Sequence, residues 1–61
     1  MFNLEIKTSG SAFGETSDEA AYEINRILDV VKQKLKYGYT EGSINDINGN
    51  KVCTFKLEME E

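Results

Sequence analysis

Ser17-Asp18-Glu19-Ala20-Ala21-Tyr22-Glu23-Ile24-Asn25-Arg26-Ile27-Leu28-Asp29-Val30-Val31-Lys32-Gln33-Lys34-Leu35-Lys36-Tyr37 decides the fold, because it is the one stretch long and periodic enough to be a helix. At 100° per residue Ala20, Ala21, Ile24, Ile27, Leu28, Val31 and Leu35 fall on one face. Thr16-Ser17-Asp18-Glu19 matches a capping box, with Ser17 or Asp18 as alternative caps. Acids crowd the first turn and Lys32, Lys34 and Lys36 the last, as the helix dipole favours, and Gly38 supplies a left-handed terminator. A helix with one apolar stripe needs a surface to lie on. The segments Met1 to Thr8 and Tyr39 to Met59 are expected to supply it as a sheet.

Upstream, Phe2, Leu4 and Ile6 alternate with Asn3, Glu5 and Lys7, the period-two pattern of a strand with one face buried. Ser9 to Glu15 reads as a loop in which Phe13 is an anchor folded under the helix start. A glycine-bearing loop between strand and helix invites a phosphate reading. The Gly-Lys-Ser/Thr ending and G-x-G-x-x-G pattern are both missing, however, and Glu15, Asp18 and Glu19 would repel the ligand.

Downstream, Gly42, Ile44 and Asp46 would share one face of a second strand. Asn48-Gly49 predicts a type I′ hairpin turn. Ile47 then opposes Asn50, Asp46 opposes Lys51, Ile44 opposes Cys53 and Gly42 opposes Phe55; a turn centred on Gly49-Asn50 would shift that register without changing the faces. The third strand, Lys51 to Met59, places Cys53, Phe55, Leu57 and Met59 on the buried face. It is the most apolar strand and belongs in the middle. A right-handed crossover through the helix makes the outer strands parallel, with the third antiparallel between them. The expected architecture is α+β, a two-layer split β-α-β (β-α-β-β) with a three-stranded sheet in the order 1-3-2 and the helix on one face.

At 61 residues the chain reads as a single domain, 1–61, with one small core and a stability of about a few kcal/mol. Seven basic against eleven acidic residues give a net charge of −4, concentrated in the C-terminal third, which disfavours non-specific nucleic-acid binding. The N-terminus lacks the basic-then-apolar pattern of a signal peptide and no stretch approaches a membrane span, so a cytoplasmic protein is expected. A single cysteine offers no disulfide framework.

Ala12-Phe13, Glu23-Ile24-Asn25-Arg26-Ile27-Leu28 and Asp46-Ile47-Asn48-Gly49-Asn50-Lys51-Val52 together resemble a group of small proteins found in phage and prophage gene sets. In that group an Ala-Phe loop, an amphipathic helix and an Asp-Ile-Asn-Gly-Asn hairpin recur in this order over nearly the whole chain. The resemblance implies phage or mobile-element origin and carries no established activity. Two departures stand out. Gly10-Ser11 precede Ala12-Phe13 where the pattern prefers Asn-Ala, and Cys53 stands where it prefers Gly.

Without histidine, the Ser-His, Cys-His and His-metal constellations cannot be assembled within one chain. Cys53 reads as an inert core thiol and Asp18, Glu19, Glu23 and Asp29 as a solvated helix surface, so catalytic residues, cofactors and metals are not expected. What remains is interaction. Opposite the core stripe lie Tyr22, Arg26, Val30, Gln33 and Tyr37, and two tyrosines with an arginine are types enriched at interface hot spots. These are the candidate partner-binding residues of a small non-catalytic module, a phage or prophage accessory protein binding a host, defence or phage protein. The open sheet face, with Ile47 and Val52, is a further surface; pairing through an edge strand or the outer helix face would give a homodimer. The alternative is a weak nucleic-acid binder using Lys32, Lys34, Lys36, Tyr37 and Tyr39.

Overall fold

The computed structural model describes residues 1–60. Chain order is β1 (Phe2–Ile6), a 3₁₀ turn at Ser11–Phe13, α1 (Ser17–Lys36), β2 (Glu41–Asn45) and β3 (Lys51–Leu57). The sheet order is β1-β3-β2, with β3 antiparallel to both neighbours. β1 and β2 therefore run the same way, and the split β-α-β arrangement expected from the sequence is the observed one.

Both helix ends are built as their residues dictate. Thr16 is the N-cap: its Oγ1 accepts the Glu19 N–H at 3.2 Å. The return bond differs from the capping-box pattern, since the Glu19 carboxylate accepts from the Thr16 hydroxyl instead of from its backbone amide. At the other end Tyr39 N–H donates to Lys34 O at 3.0 Å and Gly38 N–H to Leu35 O at 3.1 Å, the two bonds of a Schellman motif.

Phe13, Ile27, Val31, Ile44, Cys53 and Phe55 form the buried core, with Ile6, Ala12, Ala20, Ile24, Val30, Leu35 and Val52 packed around it. Phe13 is the anchor its loop position suggests, almost wholly buried against the helix start. Gly42 faces Phe55 across the sheet, and the ring lies where a side chain on residue 42 would have to go.

The hairpin departs from expectation at its tip. Ile44 opposes Cys53 and Gly42 opposes Phe55 as expected, but Asn45, not Asp46, opposes Lys51, with a register shift between Ile44 and Asn45. Gly49 N–H donates to Asp46 O at 3.0 Å and Asp46 N–H to Asn50 O at 2.8 Å. Gly49 has φ +86°, whereas Asn48 is not at positive φ. The connection is thus a three-residue loop, a type I turn closed by a left-handed glycine, and not the two-residue type I′ turn. Its cause is Asp46. A carboxylate there accepts from both Asn48 N–H and Asn50 N–H at 2.9 Å, which the two-residue turn would not bring together.

Burial also departs from the expected pattern. β3 ends at Leu57, and Met59 is exposed instead of lying on the buried face. Phe2 and Leu4 point to the helix side of the sheet, paired with Leu57 and Phe55, yet stay substantially exposed. The reason is that α1 packs on β2 and the 3₁₀ turn, leaving the outer part of β1 uncovered. The helix is also rotated relative to the expected stripe. Glu23, Ile27 and Val31 are buried, Val30 and Lys34 half-buried, while Ala21 and Leu28 face out.

Candidate interaction surface

The rotation of α1 divides the five candidate partner-binding residues. Tyr22 (81% exposed), Gln33 and Tyr37 (75% exposed) stand in solvent. Arg26 and Val30 do not: both are half-buried on the flank that meets β2. Arg26, placed by the helical periodicity on the outer line, is hydrogen-bonded within the fold.

Its commitment is to Glu23, a residue expected on the solvated surface and found 4% exposed. Arg26 Nε donates to Glu23 Oε1 at 2.8 Å and Nη2 to Oε2 at 2.9 Å, a two-pronged fork across one helical turn. Glu23 Oε2 also accepts the Ile47 N–H at 3.1 Å, and Arg26 Nη2 donates to Asn45 O at 3.1 Å. Two side chains from the helix therefore clasp the backbone on both sides of Asp46. The Arg26 bonds hold the Glu23 carboxyl below its ordinary value against the opposing pull of burial, with Ile47 N–H assisting. Arg26 in turn keeps its proton more firmly than usual, chiefly through the Glu23 bonds.

Asp46 completes the clasp from the hairpin side. Its carboxyl is held low, first by Asn50 N–H, then by Asn48 N–H and the Asn50 amide, with the Arg26 charge adding to them and burial opposing. Asn48 Nδ2 reaches Ser11 Oγ at 3.1 Å, so the hairpin tip is also tied to the 3₁₀ turn. Ile47 sits on this tip, exposed, and not on the open sheet face.

The lysine-rich helix end offers less to nucleic acid than its composition suggests. Lys34 is half-buried, its stem beside Gly42 and its Nζ 5.1 Å from the Tyr39 ring centroid. One lysine and one aromatic ring are thus already paired with each other. On the open sheet face two shallow grooves of about 340 and 440 Å³ interleave Glu5 and Glu41 with Lys7, Lys51 and Lys56, a surface of alternating sign. Cys53 is fully buried, and burial pushes its thiol up, away from the reactive thiolate. Among the described residues no group of three or more acidic, cysteine or histidine side chains is placed to hold a metal ion. No described helix is long and apolar enough to cross a membrane.

No protein-family model, curated protein or solved structure matches this chain. The Glu23–Arg26–hairpin clasp is not legible from the apolar stripe, which carries no information about where the charged side chains meet the hairpin. A signal was present: Glu23 and Arg26 stand three apart, the spacing at which opposite charges meet on a helix.

Proposed function

We propose that this chain is a small non-catalytic interaction module of the phage accessory type it resembles in sequence, and that it binds a host or phage protein through the outer side of α1. The observation that carries this reading is the standing of Tyr22 on α1 and Tyr37 at its C-cap, two large aromatic side chains that lie mostly in water. Arg26, Glu23, Lys34, Asp46 and Cys53 are all engaged in holding the fold, whereas Tyr22, Gln33 and Tyr37 are left over from it. Tyrosine supplies contact area with little conformational entropy to lose, which is why it recurs at binding hot spots. The contact surface is accordingly Tyr22, Gln33 and Tyr37, without Arg26 and Val30.

The test is affinity capture from bacterial lysate with the wild type, a Tyr22→Ala, Gln33→Ala, Tyr37→Ala variant, and a Lys32→Ala control. Folding of each bait is verified by circular dichroism. A protein retained by wild type and control but lost by the triple variant supports the reading. Identical capture by all three baits overturns it.

A further inference from the structure

The two free edges of the sheet are not alike. In β2 the residues whose main-chain groups point away from β3 are Glu41, Ser43 and Asn45, because Leu57 N–H bonds to Thr40 O and antiparallel pairs alternate from there. That edge is blunted: its register shifts at Ile44/Asn45, and Arg26 occupies the outward carbonyl of Asn45. In β1 the residues bonded to β3 are the odd ones, since Lys7 N–H bonds to Val52 O and Glu58 N–H to Met1 O. Phe2, Leu4 and Ile6 therefore turn their N–H and C=O groups outward. The pairing behind them is continuous, and no side chain among the described residues takes those groups. Natural edges are normally protected by a bulge, a proline or an inward-pointing charge. β1 has none of these and carries apolar side chains instead.

Two of the three, Phe2 and Leu4, are also left uncovered by the helix, while Ile6 packs at the edge of the core. Phe2 is 43% exposed and Leu4 38%, with Leu28 of α1, 36% exposed, another apolar side chain in water. Pairing along β1 would satisfy the orphan main-chain groups and dry the apolar row in one step.

We propose that the occupant of this edge is a second copy of the chain, added antiparallel to β1 about a two-fold axis so that the two sheets become one. The residues of β1 select the register. Only shifts in steps of two keep the apolar row on the helix side. A centre on Glu5 opposes that carboxylate to its own copy. A centre on Ile6 matches Glu5 with Lys7 but runs Phe2 past the end of the opposing strand. A centre on Leu4 overlaps Phe2–Ile6 with itself over its whole length. Leu4 then meets Leu4 of the second copy, Phe2 meets Ile6, and about six main-chain hydrogen bonds form. On the open face the Asn3 amide, a donor, stands against the Glu5 carboxylate, an acceptor. The strand is thus complementary to itself in hydrogen bonding and apolar pairing. This surface is separate from the Tyr22–Tyr37 side of α1, so either proposal can fail alone.

Sedimentation equilibrium of the purified chain over a range of concentrations should give a dimer's mass. Leu4→Lys, an inward-pointing charge at an already exposed position, should give a monomer, and Ser43→Lys on β2 should leave the dimer intact. The register has its own test, on exposed residues that do not threaten the fold. Asn3→Cys mixed with Glu5→Cys should form a mixed disulfide on mild oxidation much faster than either variant forms one with itself. A wild type that stays monomeric at every concentration overturns the proposal. So does a dimer that survives Leu4→Lys with native circular dichroism but is lost in Ser43→Lys. Rapid self-crosslinking of Glu5→Cys alone would overturn the Leu4-centred register.

Discussion

Arg26→Met should destabilise the protein more than Glu23→Gln, although the two residues share one ion pair. The asymmetry comes from where each partner lies. Glu23 has 5% of its side chain exposed and Arg26 38%. Without Arg26, the covered carboxylate keeps only the Ile47 N–H, and its burial is no longer offset. Without the Glu23 charge, the guanidinium retains Asn45 O and can turn to water. Breaking a fully buried pair costs about 3–5 kcal/mol. In a molecule only 18 × 17 Å across its two shorter axes, bulk water is close to every charge, and the effective dielectric is correspondingly high. We therefore expect about 2 kcal/mol for Arg26→Met and about 1 kcal/mol for Glu23→Gln. For a domain of this size that is roughly a 10 °C loss in melting temperature for Arg26→Met and half that for Glu23→Gln.

The pH dependence gives the same reasoning a second handle. Arg26 holds the folded-state Glu23 carboxyl below its ordinary value, so the pair's stabilisation is present above the unfolded carboxylate value of about 4.3. It is lost as pH falls through the folded value. The gap between wild type and Arg26→Met should be full at pH 7 and narrow below about pH 4, as measured by urea unfolding across the range. A gap that stays constant into acid, or a Glu23→Gln loss equal to that of Arg26→Met, would refute the argument.

Gly42→Val should cost about 1–3 kcal/mol by overpacking, since even a Cβ there would lie 3.1 Å from Phe55 Cε1 and 3.3 Å from Cζ; thermal melts check this. Gly49→Ala should cost about 1–2 kcal/mol, because the φ of +86° belongs to the left-handed region, and amide exchange of Asn50 should rise with it. Cys53 should react with a disulfide reagent roughly a thousandfold more slowly in the native protein than in denaturant, following global opening, because it is fully buried and its thiol is pushed up.

The architecture was legible because its signals are local and redundant: the Thr16 cap, the Gly38 terminator, the anchor role of Phe13 and the alternation in β1 and β3 each survive in the structure. What was not legible depended on side chains from different elements meeting. Glu23 reads as surface until the hairpin supplies Ile47 N–H and Asn45 O, and Asn48-Gly49 reads as type I′ until the Asp46 carboxylate collects the amides of Asn48 and Asn50. For the same reason Arg26 and Val30 are half-buried, whereas Tyr22, Gln33 and Tyr37 are exposed. Alternation in β1 correctly placed Phe2 and Leu4 on the helix side. It could not tell that the helix lies over β2.

The strand order also governs when this protein can exist during its own synthesis. β3 follows every other element along the chain, yet β1 and β2 bond only to it, with Phe2 waiting for Leu57. A ribosome that has released everything up to Asn50 has made a helix and two strands that still lack the strand both of them pair with. Formation of the sheet is therefore one late event, and a chain terminated ahead of Lys51 leaves Phe2, Leu4, Ile6 and Ile44 for chaperones and proteases to recognise.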